Sequence, residues 1–61
     1  MKERVFKSKF DKVVIKKSPR SCGYLASYYT AWSNTYAGCE HFDNLEEFIK
    51  YRLNDYEEVK E

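Results

Sequence analysis

From Ser21 to Cys39 the chain contains no Asp, Glu, Lys or Arg, although these residues make up 34% of the sequence. The same stretch holds Tyr24, Tyr28, Tyr29, Trp32 and Tyr36. A segment without charge and this rich in rings does not match the composition of a disordered linker, which is polar and poor in aromatics. It must pack in a core, line an interface, or do both. A chain of 61 residues is one domain, spanning residues 1–61, with room for a single small core. Such a core supplies no more than roughly 3–5 kcal/mol, so every ring the core cannot hold must find another use.

Around this strip the charge is segregated. Residues 1–20 carry eight Lys or Arg against Glu3 and Asp11, a net of +6, and residues 40–61 carry eight Asp or Glu against Lys50, Arg52 and Lys60, a net of −5. The overall +1 hides a basic and an acidic surface, either of which can steer a charged partner. A pair of merely solvated faces is the plain alternative.

Period and propensity divide the chain. Arg4–Lys17 alternates Val, Ile and Phe with Lys and Ser, which predicts one long strand, or two with an irregularity near Asp11 and Lys12. Ser18-Pro19-Arg20-Ser21 reads as a turn. The strip fits two templates. With period two, Tyr24, Ala26, Tyr28, Thr30 and Trp32 share one face; as a helix, Leu25, Tyr28, Tyr29, Trp32 and Tyr36 form a stripe. Tyr, Thr and Trp favour pleated structure and Gly23 disfavours a helix start. The expectation is therefore a strand over 24–32, a loop at Ser33-Asn34-Thr35, and a return strand over 36–42. Asp43, followed three residues later by Glu46, has the spacing of a capped helix start, with acids in the first turn. Leu45, Phe48, Ile49, Leu53 and Tyr56 then share a face of a helix over about 44–57. The expected fold is α+β: a three-stranded antiparallel sheet followed by one C-terminal helix packed on one face.

One helix covers one face. With rings on both sides of the strip, Tyr24, Tyr28 and Trp32 cannot all lie beneath the helix if Leu25 and Tyr29 do so as well. Some of these rings are therefore expected to line an open face, and which face that is stays undecided. Contiguous exposed aromatic surface marks a partner or dimer contact.

Chemistry is sparse. His41 is the only histidine. Cys39-x-His41 with a distant Cys22 lacks the paired spacing of a zinc site, and Cys39 with His41 has no pocket in which to act as a nucleophile pair. There is no phosphate loop. We expect no enzyme activity, no metal and no cofactor. No apolar run approaches a signal peptide or a membrane span, so a soluble, cytoplasmic protein without membrane contact is expected, with Cys22 and Cys39 as thiols.

Two binding classes remain. One is a protein-binding module with aromatic anchors. The other is a single-stranded nucleic-acid binder, in which Lys2, Arg4, Lys7, Lys9, Lys12, Lys16, Lys17 and Arg20 meet phosphates while rings stack bases. The acidic helix counts against the second, since on the same small body it repels a phosphate chain within a screening length of roughly 8 Å.

The segment Glu47-Phe48-Ile49-Lys50-Tyr51-Arg52-Leu53 resembles the C-terminal helix of the small uracil-DNA glycosylase inhibitors of protein-primed tailed phages. Phe10-Asp11 ahead of Val13-Val14-Ile15, and the tyrosines around Tyr28-Tyr29, are similar in place and kind. The resemblance implies a homodimer that mimics DNA, occupies the groove of a host glycosylase and captures its apolar probing loop. Because no ungapped alignment keeps the family's contact trio, Tyr36, Glu40, His41 and Phe42 are only regional candidates. Asp43, Glu46 and Glu47, with Glu40, would stand in for phosphates. Tyr24, Tyr28, Trp32 or Tyr36 would receive the probing side chain.

Overall fold

The computed structural model describes residues 3–19 and 22–59. Five strands and one helix follow in the order β1 (Arg4–Lys7), β2 (Asp11–Lys17), β3 (Tyr24–Thr30), β4 (Tyr36–Phe42), α1 (Leu45–Arg52) and β5 (Glu57–Val59). The strands form one antiparallel sheet in the order β4-β3-β2-β1-β5. The expected three-stranded α+β layer pair is thus corrected: the chain is mostly β, with a five-stranded sheet and one short helix.

The two additional strands have local causes. Residues 4–17 divide because Ser8 builds a turn. Its amide donates to the Asp11 carbonyl at 2.9 Å, its hydroxyl donates to Asp11 Oδ1 at 2.6 Å, and the amides of Phe10 and Asp11 both donate back to that hydroxyl. A side chain that mimics backbone bonding in this way favours a turn over a continuing strand. β1 then folds back on β2, with Phe6 opposite Val13 and Lys7 opposite Lys12.

The helix is shorter than expected for a similar reason. Asn44, not Asp43, is the cap, accepting the Glu47 amide at 3.0 Å. Glu46 and Glu47 occupy the first turn, and Lys50 and Arg52 the last, which suits the helix dipole. Asn54 and Asp55 form poor helix and good turn, so the chain bends after Leu53 and runs along β1 as β5. Arg4 fixes that register, meeting Glu58 through two bonds of 2.8 Å.

All of the buried strand residues, Phe6, Val13, Ile15 and Ala26, lie on one face of the sheet, where Phe48 and Leu53 from the helix segment close the core. Leu45, Ile49 and Tyr56 pack against it, so the apolar set read from helical spacing is used, although Tyr56 lies beyond the helix. Tyr24, Tyr28 and Phe42 join on the same side. The turn expected at 18–21 lies partly outside the described residues. At its described ends the Ser18 amide donates to the Gly23 carbonyl at 3.0 Å. Among the described residues no helix is long and apolar enough to cross a membrane.

Candidate nucleic-acid interface

Register assigns every strand side chain to a face. Beneath the helix, Tyr24 stacks on Phe42 at 5.6 Å and Phe42 on Phe48 at 3.9 Å. Tyr28 faces the same layer, opposite Gly38. Of the rings named as candidates for an interface, Tyr24 and Tyr28 therefore lie on the core side, which settles the face that period two left open. Trp32 is not in a strand at all. β3 ends at Thr30, and Trp32 sits in the following turn, 74% exposed. That turn is closed by the Asn34 amide donating to the Thr30 carbonyl at 2.8 Å, with Asn34 at φ 56°, a conformation asparagine tolerates. Residues 31–35 form the loop, rather than Ser33-Asn34-Thr35 alone.

The opposite face carries Val5, Lys7, Lys12, Val14, Lys16, Leu25, Ser27, Tyr29, Tyr36, Cys39, His41, Glu57 and Val59, and none of these is buried. Among the described residues no element covers it. Pairing aligns its residues in rows across the strands. One row reads Glu57, Lys7, Lys12, Tyr29, Tyr36. At roughly 4.7–4.9 Å between strands, it places two cations and then two rings in a line. The rings meet edge to face at 5.7 Å, and Lys12 Nζ lies 5.2 Å from the Tyr29 ring centre. Lys7 and Lys12 stand directly opposite each other. Like charges so placed are destabilising, which is tolerable on an exposed face and favourable once an anion binds between them. Lys16 adds a further cation two rows away, opposite Leu25 and then His41, with Val14, Ser27 and Cys39 in the row between.

Of the regional candidates, Tyr36, 56% exposed, and His41 lie on the open face. The Tyr36 hydroxyl is held above the ordinary tyrosine range by the hydrogen bond with Cys39 beside it. Tyr29, not among the candidate site residues named from sequence, is the ring that sequence reading missed. The signal lay in the neighbouring strand. Val13 and Ile15 are the apolar pair of β2, whereas Val14 sits between Lys12 and Lys16, so residues opposite Lys12 belong to the wet face.

The other expected site residues lie on the helix side. Glu40 accepts the Tyr28 hydroxyl, and Arg52 Nη2 sits 3.0 Å from the same oxygen. Burial first, and that bond second, push the Tyr28 pKa up. Asp43, Glu46 and Glu47 are exposed where the helix begins. The structure therefore separates them from Lys7, Lys12 and Lys16 by the thickness of the sheet. Of the basic residues, Arg4 is engaged by Glu58 on the helix side and Lys17 pairs with Tyr24 there; Lys2 and Arg20 lie outside the described residues. Cys22 and Cys39 are free thiols, both exposed. Among the described residues no three His, Cys, Asp or Glu side chains converge as metal ligands would. Compared with protein-family models, curated proteins and solved structures, the chain matches none.

Proposed function

We propose that the chain binds single-stranded nucleic acid on the uncovered face of its sheet. The supporting observation is the row Lys7, Lys12, Tyr29, Tyr36, in which cations for phosphates adjoin rings for bases, the combination that single-strand binders use. The acidic helix no longer opposes this reading, because it packs on the other side of the sheet. Titrating a labelled oligonucleotide at about 150 mM salt tests it. Micromolar or tighter binding is expected, and with Lys7, Lys12 and Lys16 in contact the logarithm of affinity falls against that of salt with a slope of about −2. Binding weaker than millimolar, or insensitive to salt, would overturn it.

A second reading keeps the glycosylase inhibitor and, with it, a homodimer. One observation favours it: Asp43, Glu46 and Glu47 are exposed together on the side away from Lys7, Lys12 and Lys16. It has less support, because Glu40 is committed to Tyr28 and Arg52. The five-stranded sheet also departs from the architecture that the resemblance implies. Its test is uracil excision by a bacterial glycosylase, which near-stoichiometric protein should block, together with sedimentation, which should give twice the 7.4 kDa chain mass.

A further inference from the structure

Phe10 and Trp32 are 72% and 74% exposed. They belong to different turns, β1–β2 and β3–β4, which the pairing of β2 with β3 brings to the same end of the sheet. Asp11 lies opposite Thr30 there, and the Ala31 amide donates to the Phe10 carbonyl at 3.1 Å. The two ring-bearing turns are thus tied to each other through backbone.

Neither turn owes its shape to its ring. The first is held by Ser8 and Asp11. The second is held by Thr30, Ser33 and Thr35, whose hydroxyls bond at 2.7 and 2.9 Å, and by the Thr35 amide on the Thr30 hydroxyl. Polar residues would serve both turns at least as well, and large rings left in water forgo the stabilisation that burial would give them. Paired exposed rings of this kind mark a contact surface.

Charge selects the partner. Lys9 lies in the first turn, with Lys7 and Lys12 flanking it. Asp11 accepts the Ser8 and Tyr56 hydroxyls, and Glu57 and Asp55 lie beside Lys7 on the β5 edge, the edge of the sheet away from Trp32. Immediately inboard of Thr30 and Thr35 lie Tyr29 and Tyr36, the rings of the open face. A ligand here is anionic and planar. Bases inside a duplex are closed to the sheet, but the last pair of a duplex exposes its whole stacking face.

We propose that Phe10 and Trp32 form an aromatic end stop on which the terminal base pair of a duplex stacks while its unpaired tail runs over the lysine-flanked face, making a single-strand–duplex junction the preferred ligand. The inference rests on the nucleic-acid reading above and adds the shape of the ligand to it.

The test compares a labelled tail of about ten nucleotides, the same tail on a hairpin duplex, the blunt hairpin, and vesicles containing anionic phosphatidylglycerol. The full chain is used, and anisotropy and tryptophan emission are read. Trp32 is the only tryptophan, so its quenching reports the turn directly. The tailed hairpin should bind roughly tenfold tighter than the tail, in the range of one added stacking contact, and should quench Trp32 more strongly. A Phe10→Ser, Trp32→Ser variant, its fold checked by circular dichroism, should lose the junction advantage and keep the tail affinity. Equal affinity for tail and tailed hairpin, an advantage that survives in the variant, or a Trp32 response to vesicles alone would each overturn the end stop. Tail binding without a junction gain defeats this inference only, whereas absence of binding to every oligonucleotide defeats the nucleic-acid reading as well.

Discussion

Tyr28 donates its hydroxyl to Glu40 diagonally across the β3–β4 pair, while the residue directly opposite it is Gly38. The same carboxylate oxygen lies 3.0 Å from Arg52 Nη2 at the end of the helix. The contact ties sheet to helix at the β4 edge of the sheet.

Glu40→Ala should therefore destabilise the fold by about 1–3 kcal/mol, the cost of leaving a half-buried donor unpaired. The exposed Arg52 contact adds little, at about 0–1 kcal/mol. Glu40→Gln keeps an acceptor and should lose less. Urea denaturation gives both values. Oligonucleotide affinity should be unchanged, since Glu40 lies beneath the sheet.

Stability should fall in alkali above pH 10. Burial and the hydrogen bond to Asp11 push the Tyr56 pKa up to about 12, from the usual 10, and burial with the Glu40 bond raises that of Tyr28. The unfolded chain then loses these protons before the folded chain does. The stabilisation is complete below pH 10 and is lost as pH rises through the folded values. Tyr56→Phe should flatten the fall between pH 10 and 12, as read from denaturation midpoints at stepped pH.

Gly23→Ala tests a close approach. A Cβ there would lie 2.6 Å from the Phe42 carbonyl oxygen and 2.9 Å from Asp43 Oδ1. The first of these is backbone and cannot turn aside. Overpacking of this kind costs typically about 1–3 kcal/mol. In a domain of this size each kilocalorie lowers the melting temperature by about 4–8 °C, so thermal unfolding resolves the effect.

Lysines of the two faces should behave differently in binding. Lys12→Ala and Lys16→Ala should each reduce the salt slope by about 0.7, one phosphate contact on a single strand. Lys17→Ala, on the helix side, should leave it unchanged. Tyr36→Ala should weaken binding by about 1–3 kcal/mol, the worth of one stacked base.

Cys39 lies on the open face opposite Ser27, and Cys22 precedes β3. Both are exposed thiols and should react with an alkylating reagent. Oligonucleotide should slow alkylation of Cys39 and leave that of Cys22 unaltered, as followed by peptide mass spectrometry.

Several elements were legible from residues alone. Helical spacing picked out Leu45, Phe48, Ile49, Leu53 and Tyr56, and all five contribute to the core. The strand regions expected over 24–32 and 36–42 followed from ring and β-branched content, the first running two residues past the Thr30 end of β3, and the loop at Asn34 followed from its chemistry. These are local properties, set by one segment's period, propensity and turn residues.

The faces were not legible in the same way. Period two separates Tyr24 and Tyr28 from Leu25 and Tyr29 equally well whichever set is buried, and only register against a neighbour breaks the symmetry. Pairing with Val13 and Ile15 placed Tyr28 and Ala26 inside and turned Tyr29 toward Lys12. β5 is the second case. Glu57-Glu58-Val59 has weak strand propensity, and it becomes a strand because the chain's bend after Leu53 brings it along β1, where Arg4 meets Glu58. The sequence by itself determined the strand regions of the aromatic strip, the loop between them and the apolar face of the helix, because those choices rest on neighbouring residues. The tertiary structure decided which side of the sheet stays open and what lies on it, because that depends on contacts between residues far apart in the chain.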